Sequence, residues 1–542
     1  MRALLPLVLL AAPAPAQLAS RGAPASFASE VPGELSVAYV PRPDVTALLA
    51  EDEANGPFPF RYGAVVALEL DLDRHGRWDE LADGTLLWRA EIAAPGAFSL
   101  GVLLGVFDLP AGAELFAYSP DRARVIGGFG EATEQPNGML ALQPFPGDRL
   151  VLEVVLPAEV AGVPRLAVES VVYDYRDVLG VVRPDPNAEQ RGAGCLIDVN
   201  CPAGQPYQDE KRAVVALFRG GFVCSASILN NTGEDATPYL FTAHHCGDFT
   251  NGSFLFRYER PGCGAGTATM SAFLSGAQLL AEDEFVDCQL YRLNQAPPAT
   301  YTPFYAGWNR GGSPGAPAVG ISHPAGLPKK IHLDHDAPIA AGVQWAVLWD
   351  EGEIQGGSSG SPLFDSNRRV IGPLCCAGGT CQSQTSFYGR LEKFWSRRPI
   401  AQYLDPSGNG AIVSDGLDPF RAEATPYVGS GLNPLVYTGT PPTVNATWVG
   451  TVDVSSFAGA TTTLLLGYAA EDAGTLLAAG EVLVDLSSPL LFRANAGVSG
   501  GTSTHSVLVP NDPGLIGRVA FTQVLVLGGG ARLTNGVKLR IG

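Results

Sequence analysis

Gly356-Gly357-Ser358-Ser359-Gly360-Ser361-Pro362 is the stretch that organises the reading of this 542-residue chain. A glycine ahead of a serine leaves a backbone N–H bare enough to donate to a developing oxyanion. A glycine after it permits a tight turn that pushes the hydroxyl outward. Taken alone, the stretch is equally well a Gly/Ser-rich loop. It becomes a nucleophile only if the chain supplies a base and an orienting acid elsewhere.

Both are available upstream. His245 stands at the end of the apolar run Tyr239-Leu240-Phe241-Thr242-Ala243, directly before Cys246. Asp287 lies in Phe285-Val286-Asp287-Cys288-Gln289-Leu290-Tyr291, where an aspartate opening a strand can become buried and hold the Nδ1–H of a histidine. The bland alternative for Asp287 is a strand-edge carboxylate. The chain order His, Asp, Ser is one known solution to the triad problem.

Composition sets the frame. Hydrophobic residues make up 46%, charged residues only 16%, with Gly 65 and Pro 43, which fits an ordered chain of strands and turns rather than a disordered one. The net charge of −19 disfavours nucleic acid as a partner, because phosphate binding needs clustered Lys and Arg. Arg2, the apolar run Leu4 to Ala12 and Ala14-Pro15-Ala16 read as a secretory signal peptide over residues 1–16. The run is well short of the roughly 20 residues that span a bilayer, so no membrane span is expected. Export makes disulfides the expected state of cysteine. The nine cysteines fall between Cys195 and Cys381, bounding a stapled region, and their odd number leaves at least one thiol unpaired or paired between chains. Their spacing matches no zinc pattern.

Along the chain, residues 17–60 read as a loosely structured lead-in. Tyr62 to Tyr175 shows short strands punctuated by glycine, the pattern of a β-sandwich. The stretch from Arg183 to Gly194 reads as an exposed linker with Arg191-Gly192 as its likeliest cleavage bond. From Cys195 to about Tyr403 many short strands suggest an all-β barrel pair or sandwich, with helical signal only at Ile400–Leu404. Residues 406–430 are turn-rich. Strand patterns at 463–468, 482–486 and 524–527 mark a further β module, whose His505 stands alone. The expected organisation is a signal peptide at 1–16, a β-sandwich propeptide at 17–191, a catalytic domain at 192–405, a linker at 406–430 and a C-terminal β module at 431–542.

Thr242-Ala243-His244-His245-Cys246 together with Gly357-Ser358-Ser359-Gly360-Ser361-Pro362 resembles the chymotrypsin-like serine peptidases, most closely their secreted bacterial lysyl endopeptidase branch. Gly194-Cys195-Leu196-Ile197-Asp198-Val199-Asn200-Cys201, Ala306-Gly307-Trp308-Asn309-Arg310, Ser322-His323-Pro324 and Tyr388-Gly389-Arg390 are similar to that branch too. The likeness covers residues 192–405, and the preceding region resembles the family's propeptide. It implies an all-β chymotrypsin-like double β-barrel flanked by an N-terminal β-sandwich and a C-terminal β module. It implies that Ser359 attacks a peptide carbonyl, His245 is the general base, Asp287 orients it, and the N–H groups of Gly357 and Ser359 form the oxyanion hole. It also implies disulfides Cys224–Cys246 and Cys201–Cys263, with Cys195 bonded to Cys381 or to one of Cys375 and Cys376. Cys288 has no assigned partner.

Two departures bear on specificity. The family places an aspartate two residues before the tyrosine of Tyr-Gly-Arg, and this chain has Ser386 there. A family histidine in a Leu-His-Gly segment is replaced around Cys375. Glu353, six residues before Ser359, stands at the offset where trypsin-like enzymes carry a pocket aspartate, so it is the candidate for recognising a basic P1 side chain; the alternative is a solvated loop residue. Ser358 also replaces the acid that precedes the nucleophile in animal trypsins, so activation is expected by removal of a covering propeptide. The sequence thus predicts a secreted, extracellular serine endopeptidase that acts on proteins or peptides, needs no cofactor, and carries a C-terminal module for a surface or another protein. The competing reading is a catalytically silent homologue that acts as an extracellular binding protein. A metal hydrolase built on His244, His245 and His332 or His335 is disfavoured, since adjacent histidines suit one tetrahedral site poorly.

Overall fold

The computed structural model describes residues 22–29, 31, 33–56, 59–180, 195–380 and 383–542. Strands with a buried and an open face recur in it, as in Thr447–Asp453 and Thr462–Tyr468, where buried residues alternate with partly exposed ones. The chain divides into two units at Leu417/Asp418.

In the first unit, residues up to Asp174 build two sheets. One carries Val37–Tyr39, Leu86–Ala93, Arg149–Leu156, Glu114–Tyr118 and Val125–Phe129 in that order; the other carries Phe145–Pro146, Ser99–Asp108, Arg165–Asp174 and Gly63–Asp71. Leu100, Leu104, Leu152, Val154 and Tyr173 belong to their shared core. The described part of the lead-in is not loose. Phe27 packs edge-on against Tyr118 at 5.0 Å. Buried Glu153 accepts hydrogen bonds from the Ser26 N–H (3.1 Å) and the Tyr118 hydroxyl (3.0 Å). Val45–Asn55 is a helix capped by Asp44, whose side chain accepts from the Ala47 N–H. None of its residues is fully buried, and only Val45 and Leu48 pack, partly buried, against the core, which is too short a stripe for periodicity to detect. Polar contacts add to these two: Asp52 takes Arg61 at 2.6 Å, Arg176 at 2.6 Å and the Tyr175 hydroxyl at 2.8 Å.

The region with the candidate residues is built on two larger sheets. The first runs Phe273–Ser275, Ser253–Leu255, β1 (Val214–Arg219), β2 (Phe222–Leu229), β3 (Tyr239–Thr242), β4 (Cys288–Leu293) and Ala277–Asp283. The second runs Ile197–Asp198, Lys330–Asp334, Ala318–Ser322, β5 (Pro362–Phe364), β6 (Val370–Thr380), β7 (Ser383–Gly389), Gln344–Trp349 and Ile339–Ala341. These barrel-like sheets make the all-β, chymotrypsin-like part of the molecule. The N-terminal region is tied directly to it. Phe60–Arg61 pairs antiparallel with Phe222–Val223 of β2, and Tyr62, Val178 and Leu179 are buried with Ala216, Phe218, Val223, Leu255, Tyr258 and Phe273.

The segment expected as a linker at 406–430 is divided between the two units. Val413–Ser414 pairs with Trp308–Asn309, and Leu417 bridges to Tyr305, while Glu423–Tyr427 is an edge strand on Arg532–Arg540. Such short pairings carry no alternation, so only their turns are visible in sequence. A helix at Leu391–Arg397 precedes the one at Ala401–Leu404. The second unit is a β module with the strand order Glu423–Tyr427, Arg532–Arg540, Val519–Leu527, Thr462–Tyr468, Leu490–Ser499, Thr502–Leu508, Thr447–Asp453 and Tyr437–Gly439. Its core contains Tyr437, Trp448, Leu465, Val524 and Val537. His505 is buried there, within 2.9 Å of the Thr463 hydroxyl.

Candidate active site

Every residue of β3 is buried, and the strand leads into a single 3-10 turn, His244–Cys246. Cys246 is bonded to Cys224 on neighbouring β2, so the turn is pinned to the sheet at its far end. Cys201 is bonded to Cys263. Cys195 is disulfide-bonded, and Cys288, Cys375 and Cys376 are free thiols. The alternative pairing of Cys195 with Cys375 or Cys376 is therefore corrected; Cys381 lies outside the described residues.

Asp287 sits one residue before β4, at φ +60, and β4 pairs with β3 so that Gln289 opposes Thr242. This register sets the Asp287 carboxylate under the His turn. One oxygen accepts the His245 backbone N–H at 2.8 Å, and the other lies 2.7 Å from His245 Nδ1. Two contacts from one carboxylate fix both position and ring orientation. Burial would raise the Asp287 carboxyl, but the hydrogen bonds and charge of His245 outweigh it and hold it below its ordinary value. An ionised partner on Nδ1 selects the tautomer whose Nε2 is a free acceptor.

Ser359 comes from the other sheet and is fully buried. Its carbonyl accepts the Ser225 N–H at 2.7 Å, the Ser225 hydroxyl donates to the Gly357 carbonyl at 2.9 Å, and the Gly360 N–H donates to Leu374 at 2.8 Å. The loop is thereby clamped between β2 and β6. Gly360, at φ +79, lies so close to β3 that a Cβ there would stand 2.0 Å from Thr242 Oγ1 and 3.0 Å from the Ala243 nitrogen. The serine loop and the histidine turn thus abut. Ser359 Oγ and His245 Nε2 are both buried and without a hydrogen-bond partner among the described residues. The Gly357 and Ser359 N–H groups likewise donate to no described residue. Gly389 of the Tyr-Gly-Arg motif packs close behind Asp287: a Cβ there would lie 2.3 Å from the Val286 carbonyl.

The other histidines are built into the scaffold. His323 is buried, stacked on Tyr258, with Nδ1 at 2.9 Å from the Leu327 carbonyl. His332 is buried beside Trp349, 3.4 Å from the Ser322 hydroxyl. Burial drives both down to about 3, so both are neutral. His244 faces Glu282 at 3.6 Å and His335 faces Glu351 at 3.3 Å. Among the described residues no group of three or more His, Cys, Asp and Glu is placed to hold a metal ion.

Ser386 is fully buried, and its hydroxyl accepts the Trp349 indole N–H at 2.8 Å. The position where the family carries an acid is a neutral, occupied one. Gln384 bonds the Ile354 N–H and carbonyl at 2.6 and 2.7 Å and so fixes the loop that carries Glu353. Glu353 is half-buried, with Oε2 buried and unbonded; burial raises its carboxyl, and a hydrogen bond with Gln355 offsets part of that rise. Sequence reasoning missed Trp349 and Ser225. An indole and a serine that act through single hydrogen bonds across strands leave no local signal.

Two sheets that bring the buried Ser359 and Asp287 and the partly exposed His245 to their junction define the chymotrypsin-like class of serine peptidase. Residues 66–173 match the model of the lysyl endopeptidase N-terminal domain, and residues 190–389 match that of the lysyl endopeptidase C-terminal domain. Together these cover more than half of the chain, which belongs to the lysyl endopeptidase family and is a serine endopeptidase. Among solved structures, the chain is similar to a thermostable serine protease AL20 from an extremophilic microorganism, at 16% identity and TM-score 0.28, covering 37% of this chain and 100% of that one. It is similar to human heparin binding protein at 16% identity and TM-score 0.28, covering 38% and 96%. Likenesses this distant say nothing about activity.

Proposed function

We propose that the protein is a secreted serine endopeptidase that hydrolyses peptide bonds through an acyl-enzyme, with His245, Asp287 and Ser359 as its triad. The observation that carries this reading is the His245–Asp287 couple together with two buried, unpartnered atoms, His245 Nε2 and Ser359 Oγ. In the mechanism, Ser359 Oγ attacks the scissile carbonyl while His245 Nε2 takes its proton. Asp287 stabilises the imidazolium that forms. The N–H groups of Gly357 and Ser359 receive the carbonyl oxygen as it becomes negative. His245 returns the proton to the leaving amine, and a water repeats the sequence on the acyl-enzyme.

Glu353 takes a basic P1 side chain in this proposal. A buried carboxylate oxygen lacking a partner is satisfied when a Lys or Arg enters, whereas Ser386 already holds Trp349. Residues 1–16 act as the signal peptide, and residues 17–191 as a propeptide whose removal activates the enzyme. The C-terminal module engages a surface or another protein.

The test is a serine-directed fluorophosphonate applied to the secreted protein and to its Ser359→Ala variant. Labelling of the parent alone is expected; a mature parent that takes no label would establish the silent-homologue reading. A peptide-library profile should show Lys or Arg at P1, with Glu353→Gln losing that preference. A profile indifferent to basic residues would sink the role of Glu353.

A further inference from the structure

Beside the triad lie two thiols that the reaction above does not use. Leu374 pairs with Tyr388 and Cys376 with Phe387, so Cys375 is the extra residue of a β-bulge in β6. In a regular strand neighbouring side chains point to opposite faces. A bulge re-aims them, and here it brings Cys375 Sγ to 2.9 Å from Cys376 Sγ. Both residues are partly buried and neither is in a disulfide. The Cys375 thiol also lies beside Asp287 and adds to what holds its carboxyl low, and Cys376 feels the charges of Asp287 and His245. One residue upstream, the Leu374 carbonyl accepts the Gly360 N–H and the Leu374 N–H donates to the Ser361 carbonyl, each at 2.8 Å. The thiol pair therefore adjoins the orienting acid on one side and the clamp on the nucleophile loop on the other.

We propose that Cys375 and Cys376 form a reversible vicinal disulfide that switches the peptidase site off, and that Cys375 as a thiol is a positioning residue for Asp287. This rests on the triad reading above. The oxidant is a low-molecular-weight disulfide, RSSR. The Cys376 thiolate attacks one of its sulfurs and expels RS⁻; the Cys375 thiolate then displaces the second RS⁻ and closes the ring. Two thiols lose two electrons and two protons, and RSSR becomes two RSH. The single Cys375 S–H points either to Asp287 or to Cys376; when it turns to Cys376 it draws that thiol down to about 7, which suits Cys376 to the first attack. Closing the ring removes the hydrogen that Cys375 offers Asp287. It also forces the bulge into a new shape next to the Leu374 clamp. The third free thiol, Cys288, is fully buried and points to the Val286 carbonyl, so it does not compete.

The experiment uses protein secreted from the full-length chain, equilibrated in thiol/disulfide buffers that leave Cys201–Cys263 and Cys224–Cys246 intact by peptide mapping. The oxidised protein should show a Cys375–Cys376 bond, a kcat lower by about tenfold or more with KM little moved, and slower fluorophosphonate labelling, all reversed by thiol. The double variant Cys375→Ser with Cys376→Ser should be indifferent to the buffer. Cys375→Ala should lose several-fold in kcat that Cys375→Ser restores. A bond that forms without a change in rate, a bond that never forms, or a redox response that persists in the double variant would overturn the proposal. If the reduced parent, freed of its N-terminal region, takes no fluorophosphonate, the triad itself has failed, and the switch falls with it.

Discussion

Asp287 holds His245 by two atoms at once, a backbone N–H and Nδ1. An amide at this position can keep the shape but not the charge, and it presents a donor that favours the wrong imidazole tautomer. Asp287→Asn is expected to lower kcat about 10⁴-fold while the protein still folds, by analogy with triads in which that substitution has been made. Steady-state kinetics with a thermal melt checks both halves; a loss below tenfold would remove Asp287 from the site. His323 and His332 make a different prediction. Each falls from an ordinary 6.5 to about 3 on burial. Below about pH 6.5 the unfolded chain binds protons that the folded chain refuses, so their contribution is intact above that value and shrinks as pH falls toward 3. Each residue should cost about 1.4 kcal/mol per pH unit in that window. The urea midpoint should drop between about pH 7 and pH 5, and His332→Gln should flatten the slope by about one proton. A midpoint that stays level would contradict the neutral, buried state. The three side chains proposed as a triad were legible in sequence because their flanking residues are unusual. The thiol contact to Asp287 was not, because it depends on which way a bulge turns Cys375.

At the scale of elements, the site is a junction between two sheets, and glycine makes the junction close enough. Gly360 meets Thr242 and Ser225 where no side chain fits. Gly360→Ala would have to move the serine loop away from the histidine turn, and its φ of +79 adds strain. A displacement of about 1 Å can cost 10²-fold, so kcat/KM should fall by about that factor or more. The fluorophosphonate rate on the folded variant would measure it, and a near-parental rate would show that the loop does not need this contact. Buried strands such as β3 and β4 were readable from their apolar runs. The helix Val45–Asn55 was not, since only Val45 and Leu48 pack on the core and ion pairs through Asp52 supply further contacts. The pairing of Val413–Ser414 on Trp308–Asn309 was hidden because two-residue strands have no period.

Across the whole molecule, sequence marked the cysteine-bearing centre and the β-rich flanks, yet it drew the N-terminal region as a separate cover. The packing ties that cover firmly to the centre. Tyr62, Val178 and Leu179 are buried among side chains of the central region, Phe60–Arg61 adds a strand to β2, and the Tyr62 and Gly63 N–H groups both reach the Gly221 carbonyl, at 2.7 and 3.0 Å. Polar links join them at other points: Asn294 to Gln135 and the Ser275 hydroxyl to the Ala141 carbonyl at 2.6 Å. Burying three large apolar side chains contributes on the order of 1.5–3 kcal/mol each, and none of it depends on an unbroken chain between the two regions. A cut at Arg191-Gly192 should therefore leave the N-terminal fragment bound. On size exclusion in native buffer the two pieces should run together, and in moderate urea they should part. Tyr62→Ala should shift that separation to a lower urea concentration. If the pieces part at once in native buffer, the shared core is too weak to hold the cover after cleavage, and activation would follow from cutting alone. If they stay together and the fluorophosphonate still fails to label Ser359, a second cut within residues 22–180 is what frees the site.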